Sequence, residues 1–128
     1  LGDELYEADL IIFNTNSWPK RPVDFADYGS DFAAVGAEGA AGMRMNLPRL
    51  KAVAIDTLSI ENIAIGKTNG FRTHKAFLDP ARTDHTIRIY EDVNPGPLVG
   101  KKLLRAFCSP LRIHADACVC NIVCEIED

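Results

Sequence analysis

His74 and Glu91 are the residues of this chain best suited to share chemistry. Between them run a short helical stretch, a polar loop and an apolar alternation, "HKAFLDPARTDHTIRIYE". A chain that turns back over that distance can set an imidazole beside a carboxylate. Such a pair serves general acid–base work or helps to grip a divalent cation. The local alternative is plainer: His74 opens a helix, Glu91 closes a strand, and the two share no task.

Few other residues compete. His85 falls in a polar loop and reads as solvated, and His114 beside Asp116 reads as a turn or capping residue. Asp56 ends the apolar run "LKAVAID" and opens "DTLSIEN". It either organises a turn through its side chain or stands at a strand end, where open α/β sheets gather their sites. "GKTNG" at 66–70 imitates the end of a phosphate-binding loop, but position 61 is Glu where that motif needs Gly, and the reading fails.

Four cysteines stand at 108, 118, 120 and 124. Cys118, Cys120 and Cys124 share parity with Ile122 and Ile126, so on a strand they face one side, as a core face would. The alternative is a metal site. Alternate strand residues lie roughly 6.6 Å apart, which suits a shared tetrahedral shell poorly.

Positioning these residues requires a framework, and the chain supplies one. "ADLIIFN" (8–14), "LKAVAID" (50–56) and "TIRIYE" (86–91) read as strands, the second buried on both faces. "TNSWPKRPVDFADYG" reads as a long loop that its prolines keep irregular, with Trp18, Phe25 and Tyr28 as an aromatic wall. "VGAEGAAGMRMNL" reads as a helix whose glycines permit close approach to a neighbouring backbone, and Pro48 ends it. His74 to Leu78 reads as a second, shorter helix, and "NPGP" as a turn. Leu103–Cys108 and Ala117–Ile126 complete a strand-rich C-terminal half. The expectation is an α/β or α+β domain around a mixed sheet with one or two helices.

The totals narrow the function classes. At 128 residues the chain suits a single domain, and a 47% hydrophobic, 25% charged composition is ordinary for a globular protein. A net charge of -4 with scattered Lys and Arg argues against nucleic-acid binding. No apolar run is long enough to span a bilayer and no secretory leader is visible, so the expected location is cytoplasmic.

The order of "ADLIIFNTNSWPKR", a Gly/Ala-rich helix, "LKAVAIDTLSIE", "THKAFLD", "IYEDV" and "SPLRIHADAC" resembles the cyclase-like metal-dependent hydrolases. These include the bacterial-type kynurenine formamidases and isatin hydrolases. The resemblance runs from about Ala8 to the C-terminus, and its most specific piece is the strand end from Val53 to Ser59. It implies a swivelling β/β/α-like fold and a zinc or manganese cofactor. His74 is then catalytic and a metal ligand, Glu91 is a metal ligand, and Trp18, Asp56, Ser59 and Asp116 line or support the substrate pocket. The implied activity is hydrolysis of a non-peptide C–N bond in a small molecule, arylformamidase-like, as in tryptophan catabolism, within a homo-oligomer.

The family's His-x-x-x-His-x-Asp metal motif is absent, and the segment from His74 to Glu91 is longer than the family pattern. With no initial Met, residues 1–128 are expected to be one cyclase-like domain, the C-terminal part of such a protein, without its metal-motif segment. The alternatives are a non-catalytic cyclase-like module with a binding or assembly role, or a small Cys-rich metal-binding protein.

Overall fold

The three apolar runs of the N-terminal part become β1 (Leu10–Phe13), β2 (Ala52–Ile55) and β3 (Arg88–Tyr90). They form one parallel sheet in the order β1-β2-β3, with Ile11, Val53 and Ile89 in one row and Ile12, Ala54 and Tyr90 in the next. Parallel neighbours cannot be joined by a hairpin, so each connection must leave the sheet and return. The structure is a computed structural model describing residues 2–30, 32–81 and 85–127. Most of the polar loop expected over 82–85 therefore lies outside the described residues.

Ahead of the sheet lies α1 (Glu4–Glu7), and β1 and β2 are joined through α2 (Phe25–Ser30) and α3 (Ala37–Asn46). From β2 to β3 the chain passes through α4 (Ile63–Asn69) and α5 (Arg72–Leu78). The two helices legible in the sequence are α3 and α5. The core forms where they meet the sheet, from Ala40, Leu47, Leu50, Val53, Ile55, Ile60, Phe77 and Ile87, with Ile11, Phe13, Met43 and Ile89 against it. Burying apolar area of this kind stabilises by about 25 cal/mol per Å².

Two expectations fail here. The proline-rich segment after β1 is not irregular throughout: Trp18–Lys20 is a 3-10 turn with Pro at its start, and α2 follows Pro22. Proline is compatible with a first helical turn because the N–H it lacks has no helical partner there. Asp24 then caps α2, its Oδ1 accepting the Asp27 N–H at 2.9 Å. Nor do the glycines of that stretch mark close backbone approach: a Cβ at Gly36 or Gly42 would meet nothing within 4 Å, and one at Gly39 would meet only the Val35 side chain, at 3.9 Å. The buried stripe of α3 is Ala40 and Arg44, one helical turn apart.

The chain forms two units, Leu1–Pro95 and Gly96–Asp128. The second contains a 3-10 turn at Gly96–Leu98, where "NPGP" predicts a turn, and an antiparallel hairpin of β4 (Lys102–Pro110) and β5 (Cys120–Glu127) with a register shift between Leu103 and Arg105. Cys120, Ile122, Cys124 and Ile126 share one half-buried face as their parity requires, whereas Cys118 precedes the strand and is exposed. The fold is α/β, its parallel and antiparallel pairings held in separate sheets. Among the described residues no helix is long and apolar enough to cross a membrane.

Candidate functional site

All three parallel strands deliver polar residues at their carboxyl ends. Asn14 to Trp18 follow β1, Asp56 to Glu61 follow β2, and Glu91 and Asp92 follow β3. This is the edge of an open parallel sheet where ligands bind, because the strands stop there while the connecting loops splay apart.

Helix α5 brings His74 to that edge. Asn62 starts α4 by accepting the Ala64 and Ile65 N–H groups, and Gly70 ends it in the left-handed conformation. Phe71 follows at φ 57°, a conformation that costs a bulky side chain of order 1–3 kcal/mol. Two contacts hold it there. Its ring lies against Gly66, where a Cβ would come within 2.6 Å, and packs edge-on against the His74 imidazole at 5.7 Å. Among the described residues, the other non-glycine positions with positive φ are Asn16 and Asp92, which also follow strand ends at this edge. Side chains of their kind tolerate that region better.

The imidazole is held on both sides. Nδ1 lies 3.2 Å from Glu61 Oε2 and Nε2 lies 3.2 Å from Glu91 Oε1. Glu61 is buried, and also accepts from Asn69 Nδ2 at 3.0 Å and from the Thr73 N–H at 3.2 Å. Glu91 Oε1 also accepts from Ser59 Oγ at 2.9 Å and from the Ile60 N–H at 2.7 Å. Burial opposes ionisation of both carboxyls, but these donors outweigh it and hold both below the usual carboxylate range. The bond to Glu91, opposed by burial and aided by Glu61, raises the His74 pKa.

These shifts fix a pH dependence of stability. A raised imidazole pKa contributes stability that is fully present below its ordinary value of 6.5 and is lost as pH rises through the folded-state value. The lowered carboxyls contribute stability that is present above their ordinary 4.5 and is lost as pH falls through their folded-state values. Urea midpoints are therefore highest between those two limits, and His74→Asn flattens the alkaline limb. A fall in the midpoint just above pH 6.5, below the range in which the Cys120, Cys124 and Tyr28 groups lose their protons, that persists in the variant would refute this assignment.

A second network stands beside the first. Asp56, fully buried, accepts from the Thr15 N–H at 2.8 Å, Thr15 Oγ1 at 2.7 Å, the Ser17 N–H at 2.8 Å and the Trp18 N–H at 3.4 Å. Burial opposes its ionisation, yet these bonds keep its pKa low. Asp92 takes a bidentate ion pair from Arg21 at 2.6 and 2.8 Å. The Tyr28 hydroxyl lies 2.7 Å from Asp92 Oδ1 and 3.1 Å from the Asp56 carbonyl oxygen. Burial, with Asp92 adding to it, raises the Tyr28 pKa and keeps the phenol protonated. The Arg21 guanidinium stacks over the Trp18 and Phe25 rings at 5.1 and 5.7 Å.

Of the residues singled out in the sequence, His74, Glu91 and Ser59 meet directly, and Asp56 holds the segment bearing Trp18. Asp116 lies in the second unit, exposed between β4 and β5. Tyr28 is 1% exposed, so it anchors the aromatic wall from behind. His85 is not simply solvated: its Nε2 lies 2.8 Å from the Leu50 carbonyl oxygen, at a half-buried position. Glu61, Arg21 and Asp92 escape sequence reasoning. Only their place just after strands or within a polar loop marks them, and that is common to many surface charges.

An open recess of about 400 Å³, lined by His74, Lys75, Leu78 and Asp79, lies along α5. Imidazole and carboxylate suit zinc or manganese in kind. In number they fall short: among the described residues no group of three or more His, Cys, Asp or Glu is arranged to hold a metal ion. Two donors make half a tetrahedral shell. No family model, curated protein or solved structure matches the chain.

Proposed function

We propose that this chain contributes His74 and Glu91 to the site of a metal-dependent amide hydrolase of the cyclase-like, arylformamidase type, the remaining metal ligands coming from another segment or subunit. The observation that carries the reading is the placement of His74 Nε2 and Glu91 Oε1 3.2 Å apart at the carboxyl end of a parallel sheet. A bound zinc or manganese ion would polarise the amide carbonyl and lower the pKa of a water molecule. The residues of this chain do the rest. Ser59 and the Ile60 N–H orient Glu91, and Glu61 takes the Nδ1 side of His74, so that His74 Nε2 and Glu91 would hold the ion beside a small molecule in the recess.

One observation favours a second reading, a cyclase-like module without catalysis. Both His74 nitrogens already have carboxylate partners, so the cluster is satisfied as a structural ion triad. Metal analysis separates the two. The hydrolase reading expects zinc or manganese to bind the chain through His74 and Glu91, with affinity falling at least about tenfold in Glu91→Ala. Binding that is absent from the wild type would leave the module, and binding indifferent to Glu91 but lost in Cys120→Ser would favour the Cys-rich metal-binding reading instead. Lacking a full ligand set, the isolated chain is expected to hydrolyse N-formylkynurenine no faster than the metal-free background, and measurable turnover would overturn the idea that ligands are missing.

A further inference from the structure

We infer that Glu61 is a positioning residue for His74: it holds the proton of the neutral imidazole on Nδ1 and so presents the Nε2 lone pair toward Glu91 and the open side of the site. A neutral imidazole has one N–H, and two carboxylates lie at equal distances of 3.2 Å from its nitrogens. They compete for that proton on unequal terms. The Glu61 side chain is 4% exposed and the Glu91 side chain 33% exposed. Water can replace a donor lost at Glu91, whereas a donor lost at Glu61 leaves a buried anion short of a partner, the costlier outcome.

Glu61 is also fixed in direction. Asn69 Nδ2 holds its Oε1, and the Thr73 N–H, one residue before the histidine, holds the Oε2 that faces Nδ1. The carboxylate, the backbone and the ring thus form one rigid unit, and Phe71 packs against the ring edge-on. Such an outer carboxylate sets both the tautomer and the orientation of a histidine that works through its other nitrogen. The functional meaning rests on the hydrolase reading, since a presented Nε2 matters only where it has something to meet.

The test uses nitrogen-15 NMR of the imidazole in the metal-free chain, above the pH at which His74 loses its second proton. In the wild type the Nδ1–H tautomer is expected to exceed Nε2–H by about tenfold or more, the scale of one charge-assisted bond. In Glu61→Ala the ratio reverses and the proton moves to Nε2. Backbone amide spectra away from residues 59–74 report whether that variant folds. If it does not, Glu61→Gln decides, keeping the shape without the charge; its ratio is expected to fall to within a few-fold of unity. A wild type dominated by Nε2–H, or a ratio unchanged in the folded variant, would overturn the inference. Because no metal is present, failure of the chain to bind zinc would sink the hydrolase reading while the tautomer result still judged Glu61.

Discussion

Replacing Arg44 with alanine is expected to destabilise the first unit by about 3 kcal/mol or more, with a loss of roughly 10 °C in melting temperature. Arg44 is 1% exposed at the heart of α3. Its guanidinium donates to the carbonyl oxygens of His85 at 2.6 Å, Ala76 at 3.0 Å and Asp79 at 2.8 Å. Two of these belong to the end of α5, where the last carbonyls of a helix have no partner within it. One side chain therefore caps the helix that carries His74 and ties down the chain on its way to β3. Alanine leaves these partly buried acceptors short of donors and opens a void. Lysine, a point charge on a flexible stem, can replace about one of the three bonds and should recover less than half of the loss. Thermal and urea unfolding followed by circular dichroism measure the effect. A melting temperature within roughly 2 °C of wild type would show that α5 does not depend on this residue.

The second large effect concerns Asp56. Asp56→Asn is nearly isosteric, yet it exchanges one acceptor oxygen for an NH2 group that must face N–H donors. Thr15 occupies one side of the carboxylate, and the Ser17 and Trp18 N–H groups occupy the other. Whichever way the amide turns, a donor meets a donor in a fully buried place. The expected cost is about 2–4 kcal/mol, the scale of losing charge-assisted bonds and stranding their partners. Because the chain has a single tryptophan, the local consequence can be read by fluorescence. Trp18 emission should shift to the red as segment 14–21 loosens, and the Thr15 and Ser17 amides should exchange faster. Thr15→Val, which removes the hydroxyl and its bonds to Asp56 and Ser17 Oγ but keeps the backbone donors, should cost about 1–2 kcal/mol and shift the emission less. Wild-type emission and stability in Asp56→Asn would mean that this carboxylate organises nothing.

Both residues show where sequence reasoning stops. Asp56 stood out because it closes an apolar run, and strand ends are local features. Arg44 did not, because an arginine in a glycine-rich helix looks like any solvated charge. Its acceptors are 32, 35 and 41 residues away, and no spacing rule connects them. The same holds for His85, whose partner at Leu50 is 35 residues distant. The proline-rich segment misled in the opposite direction, since proline forbids a helix interior but is at home in the first turn.

The sequence by itself determined the strands β1, β2 and β3, and with them which residues stand at their carboxyl ends, Asp56 and Glu91 among them. Apolar runs and alternation are set by neighbours a few residues apart, so this much is written locally. Only the tertiary structure decided that Glu61 and Glu91, 13 and 17 residues from His74, close on its two nitrogens. That meeting depends on the parallel crossover, on the left-handed turn at Gly70 and Phe71, and on Arg44 holding the far end of α5. Each of these is a contact between segments far apart in the chain, with its energy in burial and long-range hydrogen bonds rather than in any residue's own preference.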